Sequence, residues 1–327
     1  VRVLIVKLSS LGDVVHTMPV VHDIHAAFPE AIVDWVVEPG FAPLVRRVQG
    51  IHTVIECALR RWRKGWWTRP VRDEWRLFRE ALRGEPYDAV IDFQGLTKSA
   101  VVAWMARGPS YGLAVRTEGS SHEWPARWLV HRPIDVPLRI HALDRGRLLA
   151  GRALGYEHHG APQFGLQAHP PEDTDRTMVF VHGSSRDDKL WPQSHWVALG
   201  RRVLESGWRV ALPQGGPAER ERAERIAEEL GPACEVWPAM DIASLADRMG
   251  AAHGVIGVDS GPSHIAVALG LPHVQIYNFP TSWRTGPLLA HGHLHQMSVE
   301  AAPTPDVDTV WQAWRNAWMQ YRQMGLR

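Results

Sequence analysis

Hydrophobic positions recur along this chain in two periods that take turns. Short aliphatic runs at residues 3–6, 32–37 and 89–92 have the length and composition of buried strands, and Val54-Ile55 is a weaker run of the same kind. Between them, apolar residues fall three and four apart. One such stretch opens at Asp13 and reaches about Ala27, where Pro29 closes it. Another covers 71–83, with Trp75, Phe78 and Leu82 on one face, and a third covers 97–106. From about Gly155 to Arg176 the periodicity fades into Gly, Pro, His and acidic residues. It then restarts, with strands expected at 178–181, 208–212, 255–258 and 274–277. Helices are expected at 193–205, 218–230, 242–249 and 263–269. A last helix, about 307–324, carries Val310, Trp311, Trp314, Ala317, Trp318 and Tyr321 mostly at helical spacing.

Strands alternating with helices predict an α/β protein with parallel sheets covered on both faces. Two such halves imply two domains, 1–160 and 177–327, joined by a linker over 161–176, with the last helix packing back on the N-terminal domain. Ligands of such sheets bind beyond the carboxyl ends of the strands, so the cleft between the domains is the expected site. The 327 residues are 45 % hydrophobic and 22 % charged, which suits two ordinary globular cores. Two cysteines, Cys57 and Cys234, exclude a disulfide framework and a four-cysteine zinc site, and fit a reducing compartment. No run approaches the ~18 apolar residues of a membrane span. The opening apolar run is too short for a secretory signal, so the expectation is a protein kept in the cytoplasm. A net charge of +1 argues against a nucleic-acid-coating surface.

Charge is nonetheless uneven. Residues 60–83 hold nine basic and three acidic side chains, a local net charge of +6. Within that stretch, Arg60-Arg61-Trp62-Arg63-Lys64-Gly65-Trp66-Trp67 mixes cations with tryptophan, a composition suited to phosphorylated lipid headgroups or to single-stranded nucleic acid. A solvated helix face explains the arginines of 72–83 but not three exposed tryptophans among cations.

Three loops between a strand and a helix carry candidate chemistry. Ser9-Ser10-Leu11-Gly12-Asp13 places a carboxylate at a helix start, either as an N-cap or as an ionised general base. Asp259-Ser260-Gly261-Pro262-Ser263-His264 offers free N–H groups and hydroxyls to an anion such as a diphosphate, or is a plain capping turn. Gly183 to Trp191 holds Ser184, Ser185 and Lys189 within reach of phosphate oxygens. Asp187-Asp188 resembles a metal pair, but the adjacent Arg186 and Lys189 compete for its charge. Gly95 to Ser99 lacks the spacing of a phosphate-binding P-loop, and His291, His293 and His295 have no acidic or cysteine partner nearby.

Taken together, VRVLIVKLSSLGDVVHTMPV, ALRRWRKGWW, YDAVIDFQGLTKSA, HGSSRDDKLWPQSHW and VDSGPSHIAVAL give a chain that resembles glycosyltransferase family 9 over nearly its whole length. Within that family it is most similar to the type I lipopolysaccharide heptosyltransferase group. The resemblance implies a GT-B fold, two Rossmann-like domains facing each other across a cleft. It implies transfer of L-glycero-D-manno-heptose from ADP-heptose to the Kdo of Kdo2-lipid A, inverting and without metal or cofactor. By the same resemblance Asp13 is the base. Ser184, Ser185, Lys189, Glu219, Met240, Asp259, Ser260, Gly261 and His264 hold the donor in the C-terminal domain, with Lys189 also catalytic. Lys7, Arg60, Arg61, Arg63, Lys64 and Gln94 hold the acceptor in the N-terminal domain. The implied setting is the cytoplasmic face of the inner membrane, in peripheral contact. Transfer to an already heptosylated core, as in type II enzymes, and a non-catalytic nucleotide-sugar binder remain the alternatives.

Overall fold

The computed structural model describes residues 1–171 and 176–325. The chain forms two compact units, Val1–Leu166 and Gln167–Arg327. The boundary falls inside the expected linker, because Gly165 accepts from the Gln49 amide and Leu166 bridges to Val48. These contacts bind 161–166 to the first unit. Residues 172–175 of the expected linker lie outside the described residues.

In the first unit the order is β1 (Arg2–Val6), α1 (Leu11–Thr17), α2 (Pro19–Ala27), β2 (Ile32–Val37), α3 (Ala42–Val45), β3 (Ile51–Glu56) and α4 (Leu59–Gly65). There follow α5 (Arg69–Arg83), β4 (Ala89–Asp92), α6 (Thr97–Met105), β5 (Ser110–Leu113), α7 (Ala126–Leu129), β6 (Arg132–Ile134) and α8 (Ala142–Leu154). The helix expected from Asp13 to Ala27 is two helices, because Pro19 has no N–H to continue the first and sits instead at the first turn of the second. The six parallel strands lie in the order β3-β2-β1-β4-β5-β6. Their centre is fully apolar: Val3, Leu4, Ile5, Val6 and Val33 are all inaccessible to solvent.

The second unit repeats the scheme. Its elements are β7 (Thr177–Val181), α9 (Gln193–Glu205), β8 (Arg209–Leu212), α10 (Pro217–Leu230), β9 (Cys234–Val236) and α11 (Ile242–Gly250). Then come β10 (Gly254–Val258), α12 (Gly261–Ala268), β11 (His273–Tyr277), α13 (Ser282–Thr285), β12 (Gln296–Glu300) and α14 (Val307–Gln323). The strand order β12-β11-β10-β7-β8-β9 is that of the first sheet, with the first strand of each unit beside the fourth. The buried face of α14 belongs to this unit's own core, where Val310, Trp314 and Ala317 pack with Met178, Phe180 and Ile256. His291 ends a short 3-10 turn rather than lying on a strand with its neighbours, and His295 bonds the Gly270 carbonyl through Nε2 at 2.9 Å. The three histidines do not gather as a ligand set. Among the described residues no helix is long and apolar enough to cross a membrane.

Candidate active site

Where neighbouring parallel strands send their chains to opposite faces of a sheet, the loops part and leave a crevice at the carboxyl end. That point lies between β1 and β4 in the first unit and between β10 and β7 in the second. The loops after these four strands carry most of the expected site residues.

In the first unit, Lys7 directly follows β1 with its side chain buried, donating from Nζ to the Phe93 carbonyl at 3.2 Å. The same nitrogen lies 3.8 Å from Asp13 Oδ1. Ser10, not Asp13, is the N-cap of α1; Asp13 sits three residues on and accepts from the Ser10 amide at 3.2 Å and from its hydroxyl at 3.0 Å. The Asp13 side chain keeps 40 % of its surface open to solvent. Desolvation pushes its carboxyl upward, but Lys7, Arg145 and the Ser10 bonds outweigh it and hold the group below the ordinary carboxylate range. Arg145, on α8, lines the same small pocket with His16 and Thr17 and is braced on Thr117 Oγ1 at 3.1 Å. A buried bidentate ion pair, Arg147 with Asp23 at 2.7 and 2.9 Å, ties α8 to α2 and so fixes where Arg145 stands.

Gln94 has a structural role that its place in the motif did not announce. It is buried, its Oε1 accepts from the amides of Leu8 (2.9 Å) and Ser9 (3.3 Å), and its Nε2 donates to Ser9 Oγ at 3.4 Å. These bonds brace the loop that carries Asp13. Asp92 in turn accepts from the amides of Gln94 and Gly95 and from Ser99 Oγ, and burial pushes its carboxyl up to about 6. Replacing Gln94 by Leu strands two buried amides, at about 1–3 kcal/mol each. The expected result is a fall in kcat and in urea resistance with little change in acceptor KM; an acceptor-binding Gln94 would raise KM instead.

The basic motif forms α4. Trp62 is its buried residue, packed edge-on to Trp75 with ring centres 5.3 Å apart and donating to Glu74 at 2.9 Å. The expected row of three exposed tryptophans is therefore two, Trp66 and Trp67, because α4 must bury one face against α5. Arg60, Arg63 and Lys64 fall at helical spacing on one side. Arg60 lies 3.2 Å from Glu38, which Lys98 also approaches at 3.6 Å. Arg61 instead pairs with Glu74 at 2.5 Å and joins α4 to α5.

In the second unit the loop after β7 reaches across to the loop after β10. Lys189 Nζ donates to Asp259 Oδ2 at 2.6 Å, and His264 Nε2 lies 3.3 Å from Asp259 Oδ1. Burial favours the neutral acid, but the His264 bond and the Lys189 charge hold Asp259 well below the usual carboxylate range. Ser260 caps α12 and its buried hydroxyl has no partner among the described residues, while Gly261 opens the helix with its free amides. Ser263 is no donor to a ligand, since its hydroxyl bonds the Val258 carbonyl at 2.6 Å. Ser184 Oγ accepts from the Arg186 amide, Ser185 is exposed, and Arg186 is ion-paired with Asp188. Glu219 accepts from the Gly215 amide at 2.7 Å and packs so close to Gly183 that a Cβ there would collide with its carboxylate. Met240 is half-buried in the segment between β9, the sheet's edge strand, and α11. Asn278, which the motifs did not single out, donates to the carbonyls of Asp188 and Leu190 and so holds Lys189 in place. A polar residue just past a strand was its one signal.

Two doubly wound units with a poised carboxylate in one and a cation at a helix start in the other define a glycosyltransferase of the GT-B type. Residues 75–311 match the model of glycosyltransferase family 9 (heptosyltransferase), and the chain belongs to that family. It is 40 % identical over 311 residues to lipopolysaccharide heptosyltransferase 1 of Escherichia coli K12, covering 92 % of this chain and 94 % of that one. Heptosyltransferase 2 of the same strain is 24 % identical over 322 residues, covering 89 % and 86 %. Among solved structures, E. coli heptosyltransferase WaaC with ADP superposes with a TM-score of 0.86 at 35 % identity, covering 97 % of this chain and all of that one. The same enzyme with ADP-2-deoxy-2-fluoro heptose gives 0.80 at 36 % identity, covering 99 % and 100 %.

Proposed function

We propose that this enzyme transfers L-glycero-D-manno-heptose from ADP-heptose to the Kdo of Kdo2-lipid A, building the inner core of lipopolysaccharide. The observation that carries the reading is Asp13, an exposed carboxylate kept ionised by Lys7 and Arg145 at the carboxyl end of a central strand. A non-catalytic binder has no use for it. The similarity to heptosyltransferase 1 at 40 % identity, against 24 % for heptosyltransferase 2, supports a type I acceptor. The likeness to WaaC bound to an ADP-heptose analogue supports the donor.

In the proposed reaction Asp13 takes the proton of the acceptor hydroxyl while that oxygen attacks the anomeric carbon of the heptose. The bond to ADP breaks on the opposite side, so configuration inverts in one displacement. Negative charge grows on the β-phosphate as it leaves. Lys189 meets it, with the Ser260 hydroxyl and the first amides of α12, so a side-chain cation takes the place a metal holds in other transferases. Arg60, Arg63 and Lys64 supply positive charge for the acceptor's carboxylates and phosphates. The acceptor is a membrane lipid, and the enzyme meets it peripherally on the cytoplasmic face of the inner membrane.

The test is purified enzyme with ADP-heptose and Kdo2-lipid A in EDTA, read by ADP release and lipid mass. The expected product gains one heptose. Transfer only to an already heptosylated lipid would replace the acceptor, and dependence on added metal would refute the role given to Lys189.

A further inference from the structure

The chain has sixteen tryptophans, and most are buried or half-buried. The five exposed ones among the described residues, Trp66, Trp67, Trp104, Trp124 and Trp128, all lie on or beside α4, α6 and α7. Each has 52–74 % of its surface open to solvent. These helices form one layer. Trp62 of α4, Phe78 and Leu82 of α5, and Val102 and Ala103 of α6 share a single core cluster. Ala126 of α7 packs on Ala100 of α6. The outer side of this layer also carries arginines of α5, and a groove there is lined by Trp75, Arg76, Arg79, Glu80 and Arg83, three cations to one carboxylate.

We infer that the outer side of the α4–α7 layer is the docking face for an anionic phospholipid bilayer. This rests on the proposed lipid acceptor and adds which surface meets the lipid. Tryptophan is the side chain that prefers the boundary between headgroups and acyl chains, since its ring is apolar and its N–H needs a polar partner. Arginines beside it gain from the negative surface potential of anionic lipid. The +6 charge over residues 60–83 favours that partner over a second copy of the chain, whose identical face would repel it. The face is also continuous with the acceptor half-site. Glu123, next to Trp124, donates to the Gly95 carbonyl at 2.9 Å and accepts from the Thr97 amide at 2.8 Å. That joins the Trp124–Trp128 pair, ring centres 4.1 Å apart, to the loop that carries Gln94. A lipid lying under these rings would present its headgroup sugar at the rim where Asp13 stands.

The experiment is co-sedimentation with vesicles of phosphatidylcholine alone and of phosphatidylcholine with phosphatidylglycerol. Two variants are compared with wild type: Trp104→Ser/Trp124→Ser/Trp128→Ser and Arg76→Gln/Arg79→Gln. All these side chains are exposed, and transfer to a lipid-free Kdo acceptor checks that each variant is folded and active. Wild type is expected to bind the anionic vesicles, less so as salt rises. Each variant is expected to bind them roughly tenfold more weakly, the arginine pair through lost surface attraction. Both are expected to turn over the lipid-free acceptor at the wild-type rate. Variants that sediment like wild type would overturn the inference, as would tryptophans whose loss changes only self-association. Vesicle binding through this face without any heptose transfer would instead overturn the proposed acceptor and leave the docking face standing.

Discussion

Asp13→Asn should lower kcat by about 10²–10⁴-fold, the usual weight of a positioned general base, while ADP binds with unchanged affinity. The substitution preserves shape and keeps an oxygen for the Ser10 bonds, but the amide cannot take a proton. Donor affinity survives because every residue assigned to ADP-heptose lies on the other unit. The pH profile gives a second readout. Lys7 and Arg145 hold the Asp13 carboxyl below its ordinary value, so the base stays ionised, and the rate level, down through the usual carboxylate range. Removing the nearer cation in Lys7→Met lets the Asp13 pKa rise, so the acid limb of kcat/KM moves to higher pH. Steady-state kinetics with isothermal titration of ADP checks both parts. An Asp13→Asn enzyme with near-normal turnover would refute the assignment.

Lys189→Met is expected to cost about 10²–10³-fold in kcat/KM, comparable to deleting one preorganised donor to a developing anion. The effect should divide between weaker ADP-heptose binding and slower chemistry, because the β-phosphate gains charge only as the bond breaks. Lys189→Arg should recover only part of the loss. The lysine makes a single 2.6 Å contact with Asp259 in a partly buried setting, and a planar fork does not reproduce that point charge. Asp259→Asn tests the anchor: Lys189 loses its partner and His264 loses its acceptor, so donor KM should rise with the loop intact. Single-turnover measurement of ADP release separates binding from chemistry. A loss for Lys189→Met confined to donor binding, with the chemical step unchanged, would mean that it binds ground state and transition state alike.

The alternation of strand and helix was legible because each element's signal is local. Val3 to Val6 and the apolar spacing of α5 declare themselves without reference to anything distant. The short strands did not: Ser110–Leu113, Arg132–Ile134 and Cys234–Val236 are three or four residues long and owe their conformation to the neighbours they pair with. The stretch 142–154 was missed as a helix although it ends on Gly155 in the left-handed region, a common helix stop. Its arginines point both ways, Arg147 into the buried pair with Asp23 and Arg145 towards Asp13, so no clean apolar stripe marks it.

By itself the sequence determined the α/β class, the two-unit division and the loops that hold the chemistry, since a strand end, a glycine or serine turn and a helix start are encoded within a dozen residues. It also carried the family through motifs of that same length. Only the tertiary structure decided which loops meet and which side chains are left for a ligand. β1 and β4 are neighbours although more than eighty residues separate them, and β7 and β10 are neighbours across more than seventy. That pairing sets Lys7 against Phe93, binds Gln94 to the Asp13 loop and brings Lys189 to Asp259. A hydrogen bond to a distant backbone amide converts a polar residue from a ligand contact into a brace, and burial on one helix face turns Trp62 from a surface residue into core. Both depend on long-range strand order, which the local pattern of apolar and polar positions does not encode.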